Sequence, residues 1–443
     1  TDRFLTSFGL EYTMDVTNQL RYDIRTVKID VLREAMDASQ AINIKYASKY
    51  AGTSNYWKYS IEQNKALVKN KVMDRKKELE QQYLQWAADK APKYRSSLNL
   101  IAEAYENMKS SGEAKTYIVE GLLTGPELPF FAFQQGLGLS DALNEADYDK
   151  QQEMLSTIRD EMEEFYKDYD EEVESHLMAA LFDYCARHMD LQYFPELLFK
   201  ANKKYRGDFQ RYVKDLMSNS IFTNEESFNR AMSKKLSAKA VENDPLYLLG
   251  KNIYEKYREV SGLVPQNMKD NLSRGKRDFV DGILRMKQGT PMAPDANSTI
   301  RCTYGNVKSY NPKDGVLYQF STTATGILEK ERPNSWEFTI TDKLRKLLQQ
   351  KDFGAYADAD GNLPTCFLTT NDITGGNSGS PVIDGNGNLI GLAFDGNGEA
   401  MSGDITFEKT LQRCICLDTR YMLWVIDKYA GAHNLIEELD IVR

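Results

Sequence analysis

The feature that most limits the fold of this chain is a change of texture at "KQGTPMAPDANST", residues 287 to 299. Before it, from about Thr26 to Met286, apolar residues recur every three or four positions, the repeat that gives a helix one apolar face. Met154, Ile158, Met162, Phe165, Tyr169, Val173, Leu177, Leu181 and Tyr184 make one such stripe and predict a single long helix. "NKALVKNKVMDRKKELEQQYLQWAADK", residues 64 to 90, predicts another, with Leu67, Val68, Val72, Leu79, Tyr83 and Trp86 turned inward and its charges in water. Beyond the stretch, short β-rich runs are punctuated by Gly and Asn. "IRCTYGNVKSY", "GVLYQFST", "SWEFTI", "TCFLTT", "PVID", "NLIGLAFD" and "QRCICLD" are candidate strands, and "TRYMLWVIDKYAG" reads as a closing helix that ends at Gly431. The chain is therefore read as α+β: a mainly helical domain over 1–287, a linker at 288–298, and over 299–443 an antiparallel β domain of about six strands with a C-terminal helix.

Length agrees, since 443 residues exceed one ordinary core. No period of about 34 or 40 residues marks a solenoid. The 41% hydrophobic and 27% charged content belongs to a globular protein, and no run of about 18 apolar residues offers a membrane span, so no membrane partner is expected. A net charge of −9 without a basic stripe sets nucleic acid aside, because phosphate binding depends on clustered Lys and Arg. Cys185, Cys302, Cys366, Cys414 and Cys416 are scattered and odd in number, which suggests neither a disulfide framework nor a CxxC metal site. Cys414 and Cys416 share one strand face as packing residues. "DADGN" at 358–362 echoes the start of a calcium loop, but its Gly is at the wrong offset and the closing Glu is missing; it reads as a turn. "DEMEEFYKDYDEEVE" reads as a solvated helix face. No metal and no cofactor are expected. The chain opens on "TDRFLTSFGLEY", without Met or signal peptide, and this reads as the interior of a longer sequence.

Chemistry concentrates in Gly375-Gly376-Asn377-Ser378-Gly379-Ser380-Pro381. Glycines let the backbone take positive φ or pass close to a substrate, so that two N–H groups, those of Gly376 and Ser378, converge on one point. Such donors stabilise the oxyanion of a tetrahedral acyl intermediate, and losing one costs about 2.7 to 4 kcal/mol of barrier. Glycine and asparagine also make ordinary hairpin turns, as "DGNGN" at 384–388 does, so the loop alone leaves the role of Ser378 open.

The whole string decides more. "GNSGSP", an apolar strand, an NG turn and a second strand resemble the nucleophile loop of chymotrypsin-fold serine peptidases. Read together, "SNYWK" at 54–58, "PDANSTIRCTYG" at 294–305, "NDITGGNSGSPV" and "AFDGN" at 393–397 resemble the bacterial dipeptidyl-peptidase 7 and 11 family of serine exopeptidases, across essentially all of the chain. The resemblance implies a chymotrypsin-like double β-barrel with a Ser-His-Asp triad, capped by an inserted helical domain. The β region then corresponds to the C-terminal barrel portion and the helical region to the cap. The triad His and Asp would lie upstream, in an N-terminal catalytic portion outside this chain. The resemblance also implies a periplasmic or cell-surface location, peptide substrates with a free N-terminus, and allows a homodimer.

The family's recognition of the substrate ammonium carries over to Asn55 and Asp395, which without it read as a loop or cap residue and a strand-end turn residue. Trp57 reads as a core anchor. In the branch that cuts after Asp or Glu an Arg follows the motif Asp; Gly396 stands there instead. An uncharged S1 pocket with Gly396 in its wall should admit apolar side chains before the scissile bond and leave acidic ones unpaired. Gly398 removes another side chain nearby. These residues favour the dipeptidyl-peptidase 7 branch.

His176 and His188 fall on the helical stretch, far in sequence from Ser378, and His433 follows the closing helix, where such a fold does not place its base. General-base activation requires a group within hydrogen-bond reach, so the chain alone is expected to be inactive or nearly so, with only the residual catalysis of oxyanion hole and binding, roughly 10³ to 10⁴ over water. The competing expectation is a non-catalytic peptide-binding or interaction module whose serine is unused.

Overall fold

A computed structural model describes residues 2–234, 236–295, 298–332 and 335–442; Ala296 and Asn297, inside the expected linker, lie outside the described residues. The chain forms two compact units, one of Thr6–Asn64 with Met73–Gly289, the other of Thr1–Leu5, Lys65–Val72 and Thr290–Arg443.

The first unit is helical. One core cluster runs from Ile24 through Ile118, Leu128, Met178, Phe182 and Phe222 to Val260, and a second gathers Ile29, Leu32, Met36, Tyr46, Tyr50, Val173 and Leu177. Helix starts are written in the sequence as Asp and Asn caps: Asp147 accepts from Lys150 N at 3.0 Å, Asp208 from Arg211 N at 2.9 Å and Asn224 from Ser227 N at 2.9 Å. Such a cap corrects the single long helix expected from the stripe Met154 to Tyr184. The Asp170 carboxylate accepts from Glu172 N and Val173 N, both at 3.1 Å, and so starts a new helix, Glu171–His188, after Tyr148–Lys167 ends. Both helices keep the apolar face, with Ile158, Met162, Leu177 and Leu181 buried. The helix expected over 64–90 is likewise two, Gln40–Lys69 and Val72–Lys90. Between them Lys71 adopts φ 49°, Asn70 Nδ2 donates to Ser402 Oγ at 3.2 Å, and Val68 stays 67% exposed rather than turning inward. Side-chain partners distant in sequence override helix propensity there.

The second unit carries two antiparallel sheets. Strands β1 (Tyr310–Lys313) and β2 (Val316–Tyr318) form one. The other contains β3 (Ser321–Thr323), β4 (Pro364–Thr369), β5 (Pro381–Ile383), β6 (Leu389–Gly396) and β7 (Cys414–Asp418) in the order β3-β4-β7-β6-β5. Alternation decides the buried face: Cys414, Cys416 and Asp418 are buried along β7 while Ile415 and Leu417 are half-buried. Gly391 is required in β6, because a Cβ there would meet Leu417 O at 2.4 Å and the Phe367 ring at 2.7 Å. The sheet is open, with β3 and β5 as its edges, and does not close into a barrel among the described residues.

Three strand expectations are corrected. "SWEFTI" holds a 3₁₀ turn, Trp336–Phe338; "IRCTYGNVKSY" is irregular until Tyr310 apart from a bridge between Val307 and Thr369; and "GVLYQFST" divides between β2 and β3. The closing helix forms at Thr419–Trp424, capped by Asp418, continues as a π-helix over Val425–Ala430 and ends on Gly431 at φ 70°. "DADGN" and "DGNGN" prove to be twin turns. Asp358 Oδ1 accepts from Asp360 N and Asn362 N at 3.0 and 2.8 Å, and Asp384 Oδ1 from Asn386 N and Asn388 N at 2.8 and 2.9 Å. Each carboxylate thus closes its own turn as an Asx motif.

Candidate active site

Loop 371–380 is fixed at both ends and bare at its tip. At the start, Asn371 Nδ2 donates to Thr303 O at 3.0 Å, Asp372 N to Thr303 Oγ1 at 3.1 Å, and Arg3 pairs with the Asp372 carboxylate. Thr374 N donates to Asn377 Oδ1 at 3.0 Å and its hydroxyl to Asp404 Oδ1 at 2.5 Å. At the far end, Gly379 N donates to Ala393 O at 2.7 Å and Ala393 N to Ser380 O at 2.9 Å, which extends the pairing of β5 with β6. Between these anchors Gly376 holds φ 98° and Gly379 φ 84°. A Cβ at either would meet nothing within 4 Å, so the backbone conformation, not space, demands glycine.

The consequence is a serine presented to solvent. Ser378 is exposed, and among the described residues its hydroxyl has no hydrogen-bond partner. The N–H groups of Gly376 and Ser378 likewise find no acceptor among them. Unspent donors beside a hydroxyl suit a developing oxyanion.

Strand β6 ties the loop to the second candidate group. Ala393, which holds Gly379 and Ser380, precedes a bulge in the pairing with β7, and Asp395 follows it. Asp395 is exposed, its Oδ1 accepting from Gly396 N at 2.8 Å. Gly396 is less open than the sequence suggests. A Cβ there would lie 3.0 Å from Ala400 Cβ and 3.5 Å from Met401 Cε, on the turn Gly398–Ser402.

Two residues that sequence reasoning passed over hold this turn. Asn397 is buried; its N donates to Arg413 O at 3.1 Å, its Oδ1 accepts from Arg413 N at 2.9 Å, and its Nδ2 donates to Leu411 O at 2.8 Å and Glu399 Oε2 at 3.0 Å. Arg413 is 2% exposed, and its guanidinium donates only to carbonyls: Nε to Lys308, Nη1 to Lys409 and Gln412, Nη2 to Ser309 and Thr410, at 2.7 to 3.2 Å. Those bonds use all the donors of the fork.

Asn55 lies in the helical unit, exposed on the helix Gln40–Lys69. Trp57 serves packing there: its Nε1 donates to Thr26 Oγ1 at 2.8 Å and its ring stacks on Tyr22 at 5.3 Å. His176 and His188 are exposed on Glu171–His188, and His188 stacks on Tyr184 at 4.4 Å. His433 Nδ1 lies 2.9 Å from Asp427 Oδ1, and Asp427 Oδ2 accepts from the Tyr356 hydroxyl at 3.0 Å. None of the three hydrogen-bonds Ser378. Cys414 and Cys416 are buried with their sulfurs 3.6 Å apart; the contact with Cys414, together with burial, pushes the Cys416 thiol up, as suits packing residues. Among the described residues no cluster of His, Cys, Asp or Glu could hold a metal, and no helix is long and apolar enough to cross a membrane.

Residues 1–441 match the Peptidase S46 family. The chain belongs to that family. Among its S46 relatives are dipeptidyl-peptidase 7 of Phocaeicola vulgatus, 42% identical, dipeptidyl-peptidase 7 of Porphyromonas gingivalis, 38% identical, and the Asp/Glu-specific dipeptidyl-peptidase of the latter organism, 34% identical. Each match covers 100% of this chain and 61% of the relative, so the chain spans about three fifths of the length of these S46 proteins. The crystal structure of Porphyromonas endodontalis DPP11 with the dipeptide Arg-Glu superposes with a TM-score of 0.90 at 32% identity, over 99% of this chain and 62% of that one.

Proposed function

We propose that the natural full-length protein is a serine-type dipeptidyl peptidase that releases dipeptides from free N-termini through an acyl-enzyme on Ser378. The observation that carries this is the bare tip of loop 371–380 in an S46 chain: an exposed serine flanked by the unspent N–H groups of Gly376 and Ser378. In the reaction Ser378 Oγ attacks the carbonyl of the second residue and gives its proton to a general base. The two N–H groups stabilise the oxyanion, and the proton passes to the leaving amine as the ester forms. Water then frees the dipeptide and restores the hydroxyl.

No described residue supplies the base, so we assign it, with its Asp, to sequence outside these 443 residues. The greater length of the relatives supports this. In that reading the open sheet of 299–443 is the C-terminal portion of a chymotrypsin-like double barrel. Residues 1–287, apart from Thr1–Leu5 and Lys65–Val72 of the sheet unit, are the helical cap, with 288–298 as linker, and the protein works in the periplasm or at the cell surface. Asn55 and Asp395 receive the substrate ammonium, a cation that calls for a carboxylate and neutral acceptors. Relatives include an Asp/Glu-specific enzyme and a protein crystallised with Arg-Glu. Here Gly396 offers an acidic side chain no cation, and an apolar second residue is preferred.

The test is dipeptide release from a peptide with an apolar second residue. Wild type should release it, Ser378→Ala should lose on the order of 10⁴ to 10⁶ in kcat, and the 443-residue chain alone should stay near background. Release that Ser378→Ala leaves intact would sink the catalytic reading in favour of a binding module. Efficient cleavage of an N-terminally acetylated peptide would remove the roles of Asn55 and Asp395.

A further inference from the structure

Position 396 is the last residue of β6, and the space beside it is already taken. Ala400 Cβ lies 3.0 Å from where a side chain would begin, closer than carbon atoms rest in contact, and Met401 Cε lies 3.5 Å from the same point, at ordinary van der Waals distance. The turn that carries both cannot readily retreat. Ala400 N donates to Asn397 O at 2.8 Å and Gly403 N to Ala400 O at 2.8 Å. Asn397 is bonded to Arg413 on both its backbone and side chain, and Arg413 in turn binds the segment 409–412. Ser402 is fully buried, its Oγ accepting from Asn70 Nδ2 at 3.2 Å and Gln412 Nε2 at 3.1 Å. The charge on the turn, Glu399, is paired with Lys69 Nζ at 3.2 Å.

We infer that Ala400 and Met401 form the wall that selects the side chain before the scissile bond, and that Ala400 bars position 396 from carrying a cation into that pocket. This rests on the dipeptidyl-peptidase reading. Gly396 is then a consequence of the turn packed against it rather than an opening, and specificity is set by a pair of positions, 396 and 400, that change together. A half-buried methionine supplies the surface. Its unbranched thioether adapts to shape and makes favourable contacts with aromatic rings, so the pocket accepts Leu, Met and Phe alike and gives a carboxylate no partner.

The experiment compares Gly396→Arg, Ala400→Gly, the double variant and Met401→Ala in the natural full-length protein. Peptide substrates differ only in Leu, Phe or Glu as the second residue, before the scissile bond. Gly396→Arg alone should lose cleavage after Leu without gaining cleavage after Glu. The double variant should exceed it in kcat/KM for Glu by at least about tenfold, the scale of one pocket contact. Met401→Ala should change the ratio of Phe to Leu cleavage by a similar factor. Equal gains for Glu in the single and double variants, or unchanged ratios in Met401→Ala, overturn the inference.

Because an arginine at 396 could simply prevent folding, a thermal melting cycle with Gly396→Ala stands beside it. Gly396→Ala should lower the melting temperature, and in the Ala400→Gly background the same change should not. Identical shifts in both backgrounds overturn the steric part whatever the activity. Absence of dipeptide release from wild type refutes the dipeptidyl-peptidase reading instead, and the melting cycle still decides the steric claim.

Discussion

The two units achieve order by different means. The helical unit buries aliphatic and aromatic side chains in one extended cluster and a smaller one around Leu32 and Tyr46, and Asp and Asn side chains cap its helix starts. The sheet unit has its apolar side chains divided between a cluster around Trp424 and a small one of Phe367, Ala393, Cys414 and Cys416. It leaves Val307, Tyr318, Phe320, Ile383, Leu389 and Phe394 largely exposed. Some of these line a groove of about 1050 Å³ with Phe367, Leu423 and Ile441. What fixes its functional loops is polar: Arg413 on five carbonyls, Asn397 on Arg413, and two aspartates closing their own turns. Apolar burial tolerates small shifts, whereas hydrogen bonds fix distance and direction. Candidate catalytic groups sit where the second kind of order prevails.

Arg413→Met should show this most strongly. The change keeps the apolar stem and removes every donor, leaving five carbonyls without that partner, at a cost of about 3 to 5 kcal/mol for five bonds of somewhat under 1 kcal/mol each. In the helical unit the matching change is Phe182→Ala, which empties a fully buried site and costs a similar amount, about 3 to 5 kcal/mol. Calorimetry resolving two transitions should assign each loss to its own unit. A near-neutral Arg413→Met would break the contrast, because it would mean that the sheet unit's loops are held by packing after all.

A buried charge sharpens the comparison from the other side. Glu174 is buried in the helical unit, its Oε1 accepting from Glu127 N at 2.6 Å and Leu128 N at 2.9 Å. Burial, then the nearby Glu127 carboxylate, pushes its pKa up to about 7 from an ordinary 4.5, against the pull of those N–H groups and Lys28. With the folded value above the unfolded one, the folded state holds the extra proton between about pH 4.5 and 7. Stability therefore falls as pH rises through that window, by roughly 3 kcal/mol at its end. Glu174→Gln keeps an oxygen for both N–H groups and cannot ionise. It should flatten the pH profile of the helical transition and melt higher than wild type at pH 8; an unchanged slope would exclude Glu174 as its source.

How much of this was legible in the sequence follows from the range of the forces involved. The apolar stripe announces its helices because periodic burial is local in sequence, yet the stripe ran through Asp170, where a side chain two and three residues from its partners starts a new helix. "SWEFTI" has strand composition, but its segment closes into a 3₁₀ turn. The glycines of loop 371–380 were readable because positive φ leaves few other residues. Arg413 was not: its partners include the carbonyls of Lys308 and Ser309, and a carbonyl is the same on every residue. Nor did "DGNGEAM" disclose that its Ala stands against the place where a side chain on its first Gly would begin, which depends on the turn's geometry alone.

The smallest expected effect tests whether charge contributes to the polar order of the sheet unit. In the turn 384–388 the Asp384 carboxylate is held below its usual range by the Asn388 and Asn386 N–H groups it accepts from. A depressed folded pKa means that the contribution is present above the ordinary carboxylate range and is lost as pH falls through the folded value. Asp384→Ala should thus lower the melting temperature of the sheet unit near neutral pH, by less than any change above, and the gap to wild type should close in acid. Asp358→Ala, in the twin turn, removes the same pair of backbone contacts and offers an internal control. Should the Asp384→Ala gap survive in acid below the folded value, where the carboxylate has taken up its proton, then the neutral oxygen suffices to close the turn. In that case the order of this unit comes from hydrogen-bond geometry, with ionisation adding nothing measurable.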